Sequence, residues 1–441
     1  MIRYLVRMRT RLWKAVLLLA ACSLPLLSAQ PSRAQTAWTT TVFAMVPAPG
    51  YPAMAYVSPW NDVYEGTYDN PTGSSAPSQV FAWSADGRAI GSWTVPGENL
   101  SGPHGVQVAT RDAQGRLVLL ELGPPSALLL DTRTGTFTRY ATFADLAPCA
   151  SGQTSGCSPT VQDLAPEPDY AVWGADGSLY VSDYQQGLIW RVPPGGGAAQ
   201  VWLADARLDG EQFGTAGLAL TADHRTMLIA QGSSAGGAAG DPSTGRLYAV
   251  SIKADGTPGP LRQLWESRPA DAPDGIAVAA SGDVYIALVS PSANQIVELA
   301  PDGTELTRYP SVPAAGENGS AVPFDDPSSV RFLGTGILVA NQSYVAGDAQ
   351  HWAVLDVQVG ETGLAEYIPP AAGVAAVAPA VSPQAVAASN GGARNAAATP
   401  ALPDTAAGAA SGGAPAVLLL LTLFLLLPAA TRHRRARRVR R

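Results

Sequence analysis

The stretch APDGIAVAASGDVYIA, at residues 272–287, recurs in degraded form along the chain and indicates the fold. Every copy opens on a turn, enters an apolar run, passes through a short polar turn and enters a second apolar run. Six copies follow one another about 47 to 65 residues apart, and such repeats are typical of solenoids and propellers. Their third residues, which occupy equivalent positions, are Ala53, His104, Asp169, Ala216, Asp274 and Ser328.

Each copy continues into two more short runs, which in the fifth copy read QIVELA and ELTRYP around the turn PDG. Runs of about five residues rich in β-branched and aromatic residues, joined by Asp-Gly turns, are typical of strands in hairpins. The pattern predicts an all-β fold over residues 35–368, a six-bladed β-propeller of four-stranded antiparallel blades. A β-sandwich is the alternative, but it does not predict six copies in register.

Two segments compete for the strand that closes the ring. TTTVFAMVP, at residues 39–47, precedes the first blade, and GLAEYIP, at residues 363–369, follows the last one. Either segment can supply a fourth strand to the sixth blade, and the sequence alone leaves the choice open.

Residues 1–34 are predicted to be a signal peptide. Several basic residues precede the apolar run AVLLLAACSLPLL, and small side chains at Ser32 and Ala34 offer a cleavage point before Gln35. The alternative is a lipoprotein signal that ends before Cys22, because LAAC resembles a lipobox.

The other end of the chain predicts a surface anchor. Residues 369–413 are rich in Ala, Pro, Gly and Ser and are interpreted as a stalk. Residues 414–430 form an apolar run interpreted as a transmembrane segment, and residues 431–441 form a basic tail expected on the cytoplasmic side.

A pentapeptide in the stalk resembles the sorting signal of sortase-processed wall proteins. It consists of Leu402, Pro403, Asp404, Thr405 and Ala406, with Ala406 where that signal usually has Gly. The resemblance implies cleavage after Thr405 and an exported, bacterial cell-surface protein attached to the membrane or cell wall through its C-terminus. A plain tail anchor is the alternative.

Charge excludes one class of partner. Six of the 28 basic residues lie in residues 1–34 and seven in residues 432–441, which leaves 15 basic against 35 acidic residues between them. A body with a charge of about −20 repels nucleic acid, so we expect no nucleic-acid partner. We also expect a monomer.

Cys149 and Cys157 form an isolated pair in CASGQTSGC. In an exported chain such a pair is typical of a disulfide that closes a loop.

The six opening residues are predicted to surround one mouth of the channel, because the first strand of each blade starts near the axis. The longer connections, at residues 144–166, 232–245 and 311–324, are predicted on that same face. Insertions gathered on one face commonly mark a binding surface.

Two carboxylates and one imidazole are thereby predicted at this mouth. We interpret Asp274 and Asp169 as candidate catalytic residues, His104 as a candidate substrate-binding residue, and all three as candidate ligands of Ca²⁺, or of Mg²⁺ or Mn²⁺. A structural role is the alternative for each, because such an aspartate can bond its own turn and a histidine can be satisfied in the core.

The run PDGIAVAASGDVYIA, supported by ADGSLYVSD at residues 175–183 and LIWRV at residues 188–192, resembles the SMP-30/gluconolactonase/LRE-like superfamily. The resemblance covers about residues 50–368 and implies a six-bladed propeller. Strictosidine-synthase-like and NHL-type propellers share several of these features.

Family members that hydrolyse sugar lactones bind one divalent metal on the channel axis. The resemblance carries one of its three ligands over, the aspartate of the fifth blade, onto Asp274. Ala216 stands at the asparagine of the fourth blade, and residues 50–56 lack the glutamate of the first. In those family members a tripeptide of the second blade contacts substrate, and Pro103, His104 and Gly105 stand at its position in this chain. We therefore hypothesise a regrouped metal site of Asp169, Asp274 and His104.

The resemblance implies a metal-dependent hydrolase that acts on a small-molecule lactone or ester. Asp274 or Asp169 would then orient or deprotonate the attacking water. The alternative is a non-catalytic surface propeller that binds a protein or glycan through its insertion-rich face, since a fold does not determine a function.

Overall fold

The computed structural model describes residues 38–68, 76–153, 155–210, 214–232 and 244–370. These residues form six antiparallel sheets, which confirms the predicted all-β six-bladed propeller. The predicted signal peptide, sorting signal, apolar segment and basic tail, and all of the stalk after Pro370, lie outside the described residues. Within the described part, no helix combines the length and apolarity needed to cross a membrane.

The first three blades follow chain order. Blade one contains β2 (Pro52–Val57), β3 (Val63–Thr67), β4 (Gln79–Trp83) and β5 (Ala89–Thr94); blade two contains β6 (Val106–Arg111), β7 (Leu117–Glu121), β8 (Ser126–Asp131) and β9 (Thr136–Thr142); blade three contains β10 (Pro168–Trp173), β11 (Leu179–Asp183), β12 (Leu188–Val192) and β14 (Gln200–Ala204).

Blades four and five also follow chain order, whereas blade six takes its fourth strand from the N-terminal end of the described chain. Blade four contains β15 (Thr215–Leu220), β16 (Thr226–Gln231), β17 (Arg246–Ser251) and β18 (Arg262–Glu266); blade five contains β19 (Pro273–Val278), β20 (Val284–Leu288), β21 (Gln295–Leu299) and β22 (Glu305–Tyr309); blade six contains β23 (Pro327–Leu333), β24 (Gly336–Asn341), β25 (Ala353–Gln358) and β1 (Thr39–Met45).

Two short elements depart from the predicted regularity. The two-residue strand β13 (Gly197–Ala198) pairs in parallel with β9, so the sheet of blade two has five strands. A single turn of 3-10 helix, Ala206–Leu208, leads into blade four, and the Asp205 side chain caps it by accepting from the Arg207 amide.

The N-terminal segment closes the ring. β1 pairs antiparallel with β25, from Thr39 opposite Gln358 to Met45 opposite Ala353. Of the two competing segments, residues 39–47 therefore supply the fourth strand of blade six. This arrangement joins the two ends of the propeller by main-chain hydrogen bonds.

The burial of the strands follows from the stacking of the blades. Every residue of β7 and β20 is buried, because inner strands are covered on both faces by neighbouring blades. The fourth strands are more exposed, as in β5 on the outer rim of blade one. Both faces of the inner strands therefore carry apolar side chains, and the core lies between the blades.

The two faces of the propeller are unlike. We call the face where the first strands begin the insertion face; β16 ends there and β17 begins there, and it carries the long connections from β9 to β10, from β22 to β23 and from β24 to β25. The opposite face, the turn face, carries short hairpin turns and one longer connection at residues 252–261. The structure joins Cys149 and Cys157 by a disulfide, in a connection on the insertion face.

Residues 361–368, which we call the C-terminal segment, cross the turn-face end of the channel. The Leu364 amide donates to the Val278 carbonyl at 2.8 Å, and Ala279 forms an isolated bridge with Gly363. The Tyr367 ring lies 4.7 Å from the His224 ring, centroid to centroid. GLAEYIP therefore covers the channel and does not extend a blade.

Candidate functional site

A β-bulge at the start of the first strands directs side chains at the insertion-face mouth. In blade five, Pro273 pairs with Leu288 and Ile276 pairs with Ile286, so two residues, Asp274 and Gly275, stand opposite one. Bulges of this kind re-aim side chains at the rims of sheets. The same two-residue bulge occurs in blades one, three and four, where its first residues are Ala53, Asp169 and Ala216.

Blade two departs from this pattern. His104 lies before β6 and is fully buried, with Nδ1 at 2.9 Å from the Gly102 carbonyl oxygen and Nε2 at 2.9 Å from the Ala76 carbonyl oxygen. Gln107 points toward the mouth instead, and its Nε2 donates to Asp169 Oδ1 at 2.9 Å. Gln107 therefore contacts Asp169, whereas both ring nitrogens of His104 contact backbone carbonyl oxygens. A role of His104 in binding stays a prediction.

Asp169 and Asp274 influence one another directly. Burial raises the pKa of Asp169 well above its usual range, and the negative charge of Asp274 raises it further. Burial also raises the pKa of Asp274 to about 8, against a smaller opposing effect from Tyr170. Asp274 is partly exposed to solvent, whereas Asp169 is buried, with 5% of its surface exposed. Both aspartates therefore have pKa values above the ordinary range of an aspartate.

One oxygen of this pair has an unmet bonding requirement. Asp169 Oδ2 is buried and has no hydrogen-bond partner among the described residues. Buried polar atoms are nearly always bonded, so such an atom calls for a proton or a ligand.

The channel is filled immediately below the pair. Tyr170 Oη donates to the Ser328 carbonyl at 3.0 Å and so spans from blade three to blade six. A Cβ placed on Gly275 would overlap this hydroxyl, so glycine is required there. Met54, the equivalent of Tyr170 in blade one, is fully buried. The predicted site is consequently a shallow mouth on the insertion face.

Polar groups continue from the pair to the rim. Burial raises the pKa of Tyr184, with further contributions from the charges of Asp274, Asp169 and Glu167. Glu167 accepts from the Tyr68 hydroxyl and, at 3.0 Å, from Gln185 Nε2. The mouth is therefore acidic and lined by tyrosines.

Glu65 is a buried carboxyl that the repeat analysis did not single out. Its Oε1 accepts from the Met54 amide at 2.9 Å, its Oε2 has no partner among the described residues, and burial raises its pKa to about 8. The repeat could have revealed this residue, because strand pairing makes Glu65 equivalent to Val181 and Ile286 of other blades. A carboxyl at a position that is aliphatic in these other blades makes Glu65 a candidate functional residue.

A second acidic group lies on the turn face. Oxygen atoms of Asp283, Glu298 and Glu361 come within 4.8 Å of one another. Ser281 donates to Glu361 at 2.7 Å, and the Tyr285 hydroxyl donates to Glu298 at 3.1 Å. The hydrogen bond between Ser281 and Glu361 joins the C-terminal segment to blade five.

A comparison with protein families matches a part of the chain that includes Asp274. Residues 206–321 match the SMP-30/Gluconolactonase/LRE-like region. The SMP-30-like region so matched contains blades four and five, including Asp274. A comparison with curated proteins finds no match.

Solved structures of similar fold include three named proteins. The calcium-binding protein regucalcin from Agrobacterium tumefaciens is 15% identical, with 75% of this chain and 99% of that chain covered and a TM-score of 0.49. A gluconolactonase from Xanthomonas campestris is 16% identical, with 73% and 89% covered and a TM-score of 0.46. Virginiamycin B lyase from Staphylococcus aureus is 13% identical, with 73% and 99% covered and a TM-score of 0.43.

Proposed function

We propose that the insertion-face mouth binds a divalent cation at Asp169 and Asp274 and hydrolyses a small-molecule lactone or ester there. The observation that supports this proposal is the buried, unpartnered Oδ2 of Asp169 beside a second carboxyl. Two neighbouring buried carboxylates repel one another, and a cation would relieve that repulsion and supply a partner for Oδ2. Carboxylate oxygens suit Ca²⁺, Mg²⁺ or Mn²⁺.

The residues of the mouth have separate tasks in this proposal. Asp169 and Asp274 would hold the divalent cation, which would supply a Lewis acid that polarises the carbonyl group of the substrate. Gln107 orients Asp169 through its 2.9 Å hydrogen bond. Asp274 lies in the bulge at the same mouth and is the general base in this proposal. It accepts the proton of the water that adds to the carbonyl carbon, and returns it to the alkoxide oxygen when the ring C–O bond breaks.

Thermal unfolding of the purified chain tests cation binding. After treatment with a chelator, Ca²⁺ or Mn²⁺ is expected to raise the unfolding midpoint; a hundredfold excess over the dissociation constant adds about 2.7 kcal/mol to the free energy of unfolding. Asp274→Ala and Asp169→Ala should each abolish this increase. Asp302→Ala is the matched control, because Asp302 stands in a second Pro-Asp-Gly and belongs to a turn-face hairpin.

Hydrolysis is measured on the same proteins with a panel of sugar lactones. Turnover that needs the cation and disappears in Asp274→Ala supports the enzyme. The absence of a cation-dependent midpoint, together with an unchanged midpoint in Asp274→Ala, would contradict the proposal.

A non-catalytic role as a surface binding protein is the second candidate. Large apolar side chains stand exposed in insertion-face connections: Val161 is 61% exposed, Val312 63% and Val345 50%. Exposed apolar residues around a polar mouth suit the docking of a protein or glycan. Cation binding without turnover on any lactone would favour this candidate.

We further propose that the propeller is exported and held at a bacterial cell surface. The support is in the sequence alone: the predicted signal peptide at residues 1–34, the LPDTA pentapeptide and the apolar run followed by arginines.

A further inference from the structure

A cavity of about 540 Å³ occupies the turn-face half of the channel. Its walls are the ends of the first strands of all six blades and the C-terminal segment. None of its lining residues belongs to the Asp169–Asp274 pair, so it is a separate space. A volume of this size is typical of small-molecule sites.

Two arginines from different blades line this cavity. Arg111 ends β6 in blade two, and Arg331 lies in β23 of blade six. Arg331 Nη2 donates to the Ala109 carbonyl at 2.9 Å, and Arg111 Nη1 donates to the Asp112 carbonyl at 3.3 Å. Arg111 Nε is buried and has no acceptor in the described part of the chain. Among the described residues, neither guanidinium forms an ion pair.

This arrangement is unusual for enclosed arginines. A guanidinium taken out of bulk water is normally paired with a carboxylate or phosphate, whose geometry matches its donors. Here carbonyl oxygens are the acceptors that the two side chains contact. The cavity therefore contains two cations whose preferred partner is an anion.

Among the described residues, one acidic side chain lines the cavity, and it does not satisfy both arginines. Glu366, in the C-terminal segment, accepts from the Tyr56 hydroxyl at 3.0 Å and from the Thr110 hydroxyl at 2.6 Å. Burial raises its pKa, while the charges of Arg331 and Arg111 act in the opposite direction. One carboxyl bonded by hydroxyls leaves the cavity with a positive charge, inside a protein whose folded part is strongly acidic.

The remaining walls suit a flat apolar body. The aromatic residues that line the cavity are Tyr56, Trp173, Phe332 and Tyr367. Trp60, which is 55% exposed, lies 5.9 Å from the Arg111 guanidinium and extends this surface outward. Charge at one place and aromatic surface around it are the two features of a site for an amphiphilic anion.

We propose that this cavity binds a small aromatic or otherwise apolar carboxylate, with its carboxylate at Arg111 and Arg331 and its body against the aromatic walls. Planar guanidinium groups bind carboxylates by paired hydrogen bonds, which suits arginine side chains to this ligand. The site is independent of the cation site on the insertion face.

Titration calorimetry of the full-length chain with benzoate tests the proposal. Benzoate is expected to bind, and benzamide, which has the same shape without the charge, to bind at least tenfold more weakly. Arg331→Gln should weaken benzoate binding at least tenfold. Arg139→Gln is the matched control, since Arg139 is an exposed arginine on β9, and it should leave binding unchanged.

Glu366→Gln supplies an opposite readout that a folding defect cannot imitate. The variant keeps an oxygen acceptor for one of the two hydroxyls and removes the competing negative charge, so benzoate should bind several-fold more tightly. Equal binding of benzoate and benzamide, no binding of either, or no gain in Glu366→Gln would overturn the proposal, even if Arg331→Gln failed to fold.

Discussion

At the scale of single residues, position decides the chemistry of the Pro-Asp-Gly aspartates. Asp274 and Asp302 stand in the same tripeptide of the same blade. Asp302 is exposed in a turn, and hydrogen bonds from Thr304 hold its pKa below the usual range. Asp274 lies in a bulge at the channel mouth, where burial raises its pKa to about 8. The same tripeptide therefore contains an aspartate with a raised pKa at one place and an aspartate with a lowered pKa at the other.

We predict that the ionisation of Asp274 makes the stability of the folded chain depend on pH. Its pKa is higher in the folded chain than in the unfolded chain, so its stabilising contribution is complete below about pH 4 and disappears as pH rises through about 8. In chelator-treated protein, Asp274→Asn should reduce the loss of unfolding free energy between pH 5 and 8.5, by up to about 1 kcal/mol per pH unit.

Urea titrations at several pH values measure this effect. Asp302→Asn is the control, and it should follow the parent chain between pH 5 and 8.5 because the lowered pKa keeps Asp302 ionised there. Identical pH profiles for Asp274→Asn and the parent chain would show that Asp274 is not protonated in this range.

At the scale of elements, β1 is the strand on which ring closure depends. Its residues alternate between exposed and buried, and Ala44 packs in a cluster with Leu338 and Val354 of blade six. A propeller whose last blade is completed by the first strand of the chain cannot unfold at one end without losing that blade.

Ala44→Asp tests the closure. The variant puts an unpaired charge into the core of blade six, and we expect it to lower the free energy of unfolding by about 3 kcal/mol. Thr39→Asp adds the same side chain at an exposed position of the same strand, opposite the neutral Gln358, and should change the value by less than about 0.5 kcal/mol. Equal effects of the two variants in urea unfolding would contradict the role of β1 in the core.

At the scale of the whole molecule, the two faces have different contents. The insertion face carries the acidic mouth and the exposed valines, whereas the turn face carries the arginine-lined cavity and the C-terminal segment. The described chain ends at Pro370, directly after that segment. Pro370, the last described residue, thus lies on the side away from the candidate cation site.

Removal of residues 402–406 tests the anchoring proposal. If a sortase cleaves after Thr405, the shortened protein should leave the cell-wall fraction, as measured by fractionation and immunoblotting. Replacement of four other stalk residues, 407–410, with Ser is the control and should leave wall attachment intact. Retention of the shortened protein in the membrane, with no wall-attached form in the parent, would indicate a plain tail anchor.

Local patterns were sufficient to predict the blades. Hairpin turns such as those around Asp176 and Asp302 and the apolar runs between them are short-range features, so six copies in register predict six sheets without knowledge of any distant contact. The same reasoning placed Asp274 and Asp169 at one mouth, because equivalent positions in a ring must converge.

Long-range contacts decided the rest. The choice of β1 over residues 363–369 as the closing strand depends on pairing between the two ends of the chain, which no local pattern contains. Gln107 reaches Asp169, and Tyr170 reaches Ser328, only across the channel. The sequence by itself determined which residues open each blade. The tertiary structure alone decided which of them meet, because those contacts join residues far apart along the chain.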